Sequence, residues 1–217
     1  MLVNKKLIIF DLDGTLIDTD KLIFMAYRHL FKKFGNGYEP TFSEYISFLG
    51  PTLMEMFPKY FKEDMDVLLS EYRKYSAINS KYYLSTINGA NEVVNELKNR
   101  GYILAIVSSK IKNTILQNLK DLQLESYFDY IVGADEVNGK YKPDPYSINI
   151  VLNHYGISSE DAVMIGDSMG DLLCGKNANV TRIAVNYSLK GKFYEDKDTD
   201  YSIDSLYDLL DLFPGRR

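Results

Sequence analysis

The sequence is poor in the residues that mark several classes of protein. It has one cysteine, two histidines, six prolines and no tryptophan among its 217 residues. The single cysteine, Cys174, excludes an internal disulfide. The sequence has neither a signal-peptide pattern nor an apolar run of about 18 residues, the length that a membrane-spanning helix needs. From these absences we expect a soluble, cytoplasmic protein that does not contact membranes.

An excess of positive charge is also lacking. The net charge is −5 and the isoelectric point is about 5.1, whereas a nucleic-acid-binding protein usually carries a basic face. We therefore expect no nucleic-acid partner, and an anionic ligand would have to be attracted locally rather than by the whole molecule. The apolar fraction of 46% and the length allow one large domain, or one domain with a smaller insert.

Five short apolar runs predict the strands of a parallel sheet. Helical patterns, with apolar residues three and four positions apart, separate the last four runs, and a short helix, "SIDSLYDLLDLF", follows near the C-terminus. Strands that alternate with helices predict an α/β fold with a doubly wound parallel sheet. A polar loop over Leu189–Lys197 is expected to follow the fifth strand and to be solvated. The predicted strands are Lys6–Phe10, Tyr102–Ser109, Tyr130–Gly133, Ala162–Asp167 and Thr181–Val185.

The interval between the first two strands is too long for a single crossover helix. It contains several amphipathic segments, among them "DKLIFMAYRHLFKKFG" and "EDMDVLLSEYRKYSAINSKYY". We predict an all-helical insert of three or four helices over residues 16–86, and an α/β core over 1–15 and 87–217. Because the insert leaves from the carboxyl edge of the sheet, where ligands bind in such folds, it is placed to act as a lid.

Polar side chains follow each long strand. Asp11 and Asp13 follow the first strand, Ser108 and Ser109 close the second, and Asp167 closes the fourth. Parallel strands bring these ends to one edge of the sheet, together with residues of the nearby loops. The loop residues in question are Lys110, Lys142 and Asp171.

This set of side chains suits phosphoryl-transfer chemistry. Carboxylates without histidine or cysteine partners suit Mg²⁺, which binds one or two carboxylates, waters and phosphate oxygens. Hydroxyl groups and lysines suit a phosphate group. One carboxylate can attack phosphorus, and a second can protonate the leaving oxygen and then activate water.

The motifs "DLDGT", the serine after "LAIV", the lysine of "KPDP" and "GDSMGD" together resemble the four motifs of the haloacid dehalogenase (HAD) superfamily. They occur in the order and spacing of that family and cover the whole chain. The insert resembles the helical C1 cap of the same superfamily. The resemblance implies a HAD-like Rossmannoid core, an α-helical cap and a Mg²⁺ cofactor.

The resemblance also implies a role for each motif residue. Asp11 would be the nucleophile and a Mg²⁺ ligand, and Asp13 the general acid and base, with its carbonyl on the metal. The second aspartate, Asp13, implies phosphoryl rather than carbon–halogen chemistry. Lys142 would neutralise the transferring group and orient the nucleophile. Asp167 would bind Mg²⁺, and Asp171 would hold metal-bound waters or orient Lys142.

Further residues have supporting roles in this interpretation. Ser108 would bind the phosphoryl group, with Ser109 nearby. Lys110 resembles a lysine found there in related phosphatases. Gly14 is expected to give the tight turn its backbone geometry, and Thr15 completes the motif.

Each of these residues also has a simpler interpretation. Asp11 and Asp13 could be turn formers or helix caps, and Ser108 and Ser109 could cap the following helix. Asp171 could cap or pair at the start of its helix. Lysines such as Lys142 are often only solvated loop residues.

Three segments resemble those of HAD-type inorganic pyrophosphatases, namely "FLGPTLMEMF", "EYRKY" and the region after the fourth motif. Phosphoglycolate phosphatases share much of the sequence of these segments. Substrate choice is assigned to the insert, where Gly50 and Pro51 end one helix and begin another. We expect a small anionic phosphate compound as substrate, pyrophosphate first and phosphoglycolate second, with a sugar phosphatase or phosphomutase as a third alternative.

Two alternatives belong to other classes. A response-regulator receiver domain also places an aspartate, a hydroxyl and a lysine at strand ends, but it normally runs about half this length and has no helical insert. A non-catalytic phosphosugar sensor on the same scaffold is the other alternative. The presence of both Asp11 and Asp13 argues against such a sensor.

Overall fold

A computed structural model describes residues 1–190 and 197–215. The chain forms two compact units, one of Met1–Ile17 with Thr86–Arg217, here called the core unit, and one of Asp18–Ser85, here called the cap unit. Most of the predicted solvated loop over Leu189–Lys197 lies outside the described residues. In chain order the strands and helices are β1 (Leu7–Phe10), β2 (Ile17–Asp18), α1 (Asp20–Phe34), α2 (Phe42–Ser47), α3 (Leu53–Tyr60), α4 (Met65–Tyr83), β3 (Ser85–Thr86), α5 (Ala90–Asn99), β4 (Ile103–Val107), α6 (Lys112–Asp121), β5 (Tyr130–Val132), α7 (Tyr146–Tyr155), β6 (Ala162–Gly166), α8 (Met169–Asn177), β7 (Thr181–Val185), β8 (Tyr201–Ile203) and α9 (Leu209–Leu212).

Six of the described strands form one parallel sheet in the order β5–β4–β1–β6–β7–β8. The predicted doubly wound α/β fold and its five strands are confirmed. β1 lies inside the sheet and all four of its side chains are completely buried, as its apolar sequence predicts. The sixth strand, β8, was not predicted, because the three residues "YSI" at a sheet edge carry too little apolar pattern to be recognised.

The order of the strands decides which polar residues become neighbours. β4 and β6 flank β1, and the last residue of β1, Phe10, pairs with Ile106 on one side and Ile165 on the other. Residues that directly follow these three strands therefore lie side by side at the carboxyl edge of the sheet. These residues are Asp11, Ser108 and Asp167.

Helices α5 to α9 occupy the positions in the core unit that the sequence pattern predicts. Each of α5 to α8 buries the apolar positions that recur every three or four residues. A main apolar cluster joins the sheet to α7 and α8, and Cys174 is completely buried in it. No helix among the described residues has the length and apolar character needed to span a membrane.

The cap unit, whose residues are all described, contains the four helices α1 to α4. Its interior is mainly aromatic, and the ring of Tyr27 stacks on Phe48 with the centroids 4.2 Å apart. Capping boxes start both short helices, since Thr41 pairs with Glu44 and Thr52 with Glu55. These boxes explain why two short helices can form where the sequence is interrupted.

Gly50 and Pro51 lie between α2 and α3, as the sequence predicts. Gly50 has a φ of +105°, a conformation that side chains disfavour, so glycine is needed at this turn. The short strands β2 and β3 pair with each other where the chain passes between the two units. The role of Gly50 and Pro51 in substrate choice stays a prediction.

The buried Tyr27 hydroxyl yields a test of cap stability. Among the described residues this hydroxyl has no hydrogen-bond partner, although Tyr27 is completely buried. A buried unsatisfied hydroxyl costs about 1–3 kcal/mol. We expect Tyr27→Phe to raise the free energy of unfolding by about 1 kcal/mol in urea denaturation followed by circular dichroism.

Tyr102 in the core unit is the matched control. It is also buried, but its hydroxyl donates a 2.7 Å hydrogen bond to the carbonyl of Pro214. Tyr102→Phe should therefore lower the free energy of unfolding by about 1 kcal/mol. Destabilisation by Tyr27→Phe of the same size as by Tyr102→Phe would contradict the assignment of Tyr27 as unsatisfied.

Candidate active site

A buried lysine links two carboxylates at the carboxyl edge of the sheet. The ammonium of Lys142, in the loop before α7, donates hydrogen bonds to Asp11 Oδ1 at 2.7 Å and Asp171 Oδ1 at 2.5 Å. It also donates to the carbonyl of Val107 at 3.2 Å. All three side chains of these ion pairs are at least nine-tenths buried. Lys142 is therefore a buried partner of Asp11 rather than a solvated loop lysine.

The charge of Lys142 is stabilised by its partners. Burial alone would lower the pKa of Lys142. The carboxylates of Asp11 and Asp171 together have a larger effect in the opposite direction, so the pKa of Lys142 is raised. The pKa of Asp11 is raised to about 7, chiefly by burial and then by the charge of Asp171, while Lys142 acts in the opposite direction. The site therefore favours additional positive charge beside Asp11.

Asp171 is held in place by the start of α8. The Ser168 N–H and hydroxyl donate to Asp171 Oδ2 at 3.0 and 2.5 Å, and the Asp171 N–H donates back to Ser168 Oγ at 3.3 Å. Burial would raise the pKa of Asp171, but Lys142, Lys190 and the hydrogen bonds lower it on balance. Asp171 therefore caps its helix, as the simpler interpretation predicts, and also accepts a hydrogen bond from Lys142; its orienting role stays a prediction.

Asp13 faces a different partner. Its carboxylate forms a salt bridge with Lys110, and both side chains are about one-fifth exposed. The Asp13 carboxylate thus pairs with a lysine other than Lys142, although only one residue stands between Asp13 and Asp11. Lys110 is thus a cationic partner of the Asp13 carboxylate.

The serines that follow β4 do not cap the next helix. Helix α6 begins after Ile111, which makes no side-chain cap, and Asp135 Oδ1 accepts the hydrogen bond of the Lys112 N–H. Ser108 is buried, and its hydroxyl oxygen accepts a 3.2 Å hydrogen bond from the Lys110 N–H. Ser109 is half-buried beside it. The capping interpretation of this pair is therefore wrong.

The "DGT" turn is shaped by a close approach to Asp167. Gly14 has a φ of +80°, and a Cβ at this position would lie 2.1 Å from Asp167 Oδ2, so only glycine fits. Thr15 is completely buried, and its carbonyl accepts a 2.8 Å hydrogen bond from the hydroxyl of Tyr187. Asp11 and Asp13 do not cap α1, which begins after Thr19.

Lys190 is the main residue of the candidate site that the sequence did not predict. It belongs to the loop that was expected to be solvated, but its side chain is only 8% exposed. Its ammonium donates to Asp167 Oδ1 at 2.7 Å and to the carbonyl of Asp13 at 3.4 Å. Ser188, just before this loop, donates to Asp167 Oδ2 at 2.5 Å. The expectation of a solvated loop is therefore wrong at this position.

Three of the buried carboxylates can hold a metal ion together. One oxygen from each of Asp11, Asp167 and Asp171 lies within 4.8 Å of the others. The backbone carbonyl of Asp13 is also in reach, because it contacts the same Lys190 ammonium as Asp167. A set of oxygen donors that already binds a cationic group fits a hard divalent cation.

The balance of buried charge predicts opposite effects of two substitutions. In the part of the chain that the structure describes, the ion pairs of Asp11, Asp167 and Asp171 involve two lysines, Lys142 and Lys190. At pH 8 in a chelator, Asp11→Asn should raise the free energy of unfolding by about 1 kcal/mol or more, since one unit of pKa displacement corresponds to about 1.4 kcal/mol. Urea denaturation of chelated protein measures the effect.

Lys142→Met provides the reverse test under the same conditions. It removes the cation between two buried carboxylates and should lower the free energy of unfolding by about 3–5 kcal/mol. If Asp11→Asn lowered stability as Lys142→Met does, the cluster would not carry an excess of negative charge.

Comparison with known proteins gives relatives over nearly the whole chain. The model of the haloacid dehalogenase-like hydrolase family matches residues 8–185. Pyrophosphatase PpaX of Halalkalibacterium halodurans is 35% identical over 206 residues, which are 94% of this chain and 95% of that protein. Pyrophosphatase PpaX of Bacillus velezensis is 33% identical over 204 residues, 94% of each chain.

Solved structures agree with this result. A predicted phosphatase from Clostridium acetobutylicum superposes with a TM-score of 0.81 and 29% identity, over 94% of this chain and 96% of that one. A predicted phosphoglycolate phosphatase from Haemophilus somnus has a TM-score of 0.86 at 19% identity, over 96% and 98% of the two chains, and this likeness concerns the fold alone.

The receiver-domain alternative is excluded by these relatives. The matched family segment, residues 8–185, contains the strands and turns that bring Asp11, Asp13, Lys142, Asp167 and Asp171 to one edge of the sheet. The chain therefore belongs to the haloacid dehalogenase-like hydrolase family.

Proposed function

We propose that this protein is a Mg²⁺-dependent phosphohydrolase that works through an aspartyl-phosphate intermediate on Asp11. The observation that carries the proposal is the buried Asp11–Lys142–Asp171 chain, with the carboxylate of Asp13 two residues from Asp11. In the family this arrangement serves phosphatases, and the donor set of Asp11, Asp13 and Asp167 suits a divalent ion. Mg²⁺, when bound, would neutralise phosphate charge and bring the phosphoryl group towards Asp11.

Asp11 is the proposed nucleophile. One of its carboxylate oxygens, Oδ1, accepts the hydrogen bond from Lys142, so the other oxygen is the one available to attack phosphorus. The bond between phosphorus and the leaving oxygen breaks as the bond to Asp11 forms. Lys142 and Ser108 would bind the phosphoryl oxygens, because an ammonium and a hydroxyl can stabilise the charge that spreads over them.

Asp13 is the proposed general acid and base. It would give its proton to the leaving oxygen in the first step. In the second step it would take a proton from the water that attacks phosphorus, which releases phosphate and restores Asp11. Lys110 contacts Asp13, so we assign it the role of setting the orientation and charge of that carboxylate.

Inorganic pyrophosphate is the substrate that we propose first. The support is the similarity to two pyrophosphatases named PpaX, at 35% and 33% identity over nearly the full length of each protein. We propose that the turn at Gly50 and Pro51 in the cap unit contributes to this choice.

A substrate panel tests the choice of pyrophosphate. With Mg²⁺, we expect phosphate release from pyrophosphate with a kcat/KM at least about tenfold above that for phosphoglycolate or sugar phosphates. Phosphate is measured colorimetrically, and isomerisation of glucose phosphates is followed by chromatography. A preference for phosphoglycolate would identify a phosphoglycolate phosphatase instead. Isomerisation with little phosphate release would identify a phosphomutase. Binding without turnover of any compound would identify a sensor instead.

Substitution of Asp13 tests the proposed division of roles. Asp13→Asn keeps the shape of the side chain but removes its ability to transfer a proton, so kcat should fall by about 10²–10⁴-fold. The substrate KM should change little, because Lys142 and Ser108 remain.

Lys112→Met is the matched control for this region. Lys112 is close to Lys110 in sequence but pairs with Glu136 at 2.8 Å, away from Asp13. Its substitution should leave kcat unchanged within about twofold. A kcat for Asp13→Asn near that of the wild type would overturn the acid–base assignment.

A further inference from the structure

The ammonium of Lys190 contacts Asp13 and Asp167, two of the residues that the proposed function assigns to the metal. It is 2.7 Å from Asp167 Oδ1 and 3.4 Å from the carbonyl of Asp13. Its side chain is 8% exposed and that of Asp167 is completely buried. The contact is therefore an internal ion pair and not a surface lysine resting on an acidic edge.

These contacts conflict with simultaneous metal binding. Mg²⁺ lies about 2.0–2.1 Å from its ligand oxygens and needs them in octahedral directions. An ammonium on the same two oxygens would occupy the same space, and the two cations would repel each other in a buried site. Ser188 donates to the other oxygen of Asp167 at 2.5 Å, so both oxygens of this carboxylate are bound by one segment, residues 188–190.

The negative charge of the carboxylate cluster explains why a buried lysine is present at this position. Without Lys190, the three carboxylates that lie within 4.8 Å of one another would have Lys142 as their direct cationic partner in the cluster. A buried carboxylate without a partner is strongly destabilising. Lys190 supplies the missing positive charge while no metal is bound.

We propose that Lys190 is an internal counter-cation that takes the place of the divalent ion in the metal-free protein and must leave Asp167 before the metal can bind. This inference rests on the metal site of the proposed function. The metal binds only molecules in which Lys190 has moved away, so its apparent affinity is reduced by the fraction of such molecules. The ammonium of Lys190 then compensates the negative charge of the carboxylate cluster when no metal is bound.

Metal titration of the chelator-treated full-length protein tests the proposal. Mn²⁺ binding to the wild type and to Lys190→Met is measured by electron paramagnetic resonance, and Mg²⁺ binding by calorimetry. We expect Lys190→Met to bind both ions at least tenfold more tightly. Without metal its melting temperature should be lower than that of the wild type, and saturating Mg²⁺ should raise it by a larger increment.

Lys176→Met is the charge-matched control, because Lys176 pairs with Asp198 and not with the carboxylate cluster. Its metal affinity should stay within twofold of the wild type. If Lys190→Met bound the ions equally or more weakly while the wild type bound them, the inference would be overturned and the metal site would stand. If neither protein bound either ion, the metal site and the inference would both fail.

A measurement on the wild type covers the case in which Lys190→Met does not fold in chelator. Lysines are labelled with an amine-reactive reagent, with and without saturating Mg²⁺, and the labelled peptides are quantified by mass spectrometry. Labelling of Lys190 should rise at least fivefold with Mg²⁺, whereas Lys142, held by Asp11 and Asp171, should stay protected. Equal protection of Lys190 in both states would show that it does not leave Asp167.

Discussion

The compensation of buried negative charge is the constraint on which the active site depends. Asp11, Asp167 and Asp171 lie within 4.8 Å of one another and are all buried. In such surroundings carboxylates either take up protons or require cations nearby. Among the described residues, Lys142 lies between two of them and Lys190 binds the third, so these two ammonium groups compensate the buried carboxylates.

The topology of the sheet brings the acids together at little cost in local structure. β1 lies between β4 and β6, and each of these strands ends one residue before a functional side chain. The strands can be almost entirely apolar, because their only polar requirement arises where they stop. The glycines at 14 and 166 then allow contacts that a side chain would block, with added Cβ atoms 2.1 Å from Asp167 and 2.3 Å from Asp171.

Most of this arrangement could be predicted from the sequence, because it depends on local patterns. The apolar runs locate five strands, and the acids after "IIF" and in "GDSMGD" follow them directly. Lys142 could be found for the same reason, since the adjoining "KPDP" marks its loop. The family match over residues 8–185 agrees with this local interpretation.

What the sequence could not provide depends on contacts between distant segments. Lys190 is 23 residues from Asp167 and lies in a polar stretch that has the composition of an exposed loop. The one available signal was indirect, namely three acids at the strand ends with too few lysines to balance them. Likewise, β8 is recognisable as a strand only through its pairing with β7.

The two lysines differ in how strongly they are bound, and this difference separates their functions. Lys142 contacts Asp11, Asp171 and the carbonyl of Val107, so it loses three partners if it moves. Lys190 has one carboxylate at 2.7 Å and a carbonyl at 3.4 Å, both of which a divalent ion would bind more strongly. Under the proposed function, Lys142 would be a permanent cation that orients Asp11, and Lys190 would be an exchangeable one that gives way to the metal. The same carboxylates can then remain buried in both the metal-free and the metal-bound protein.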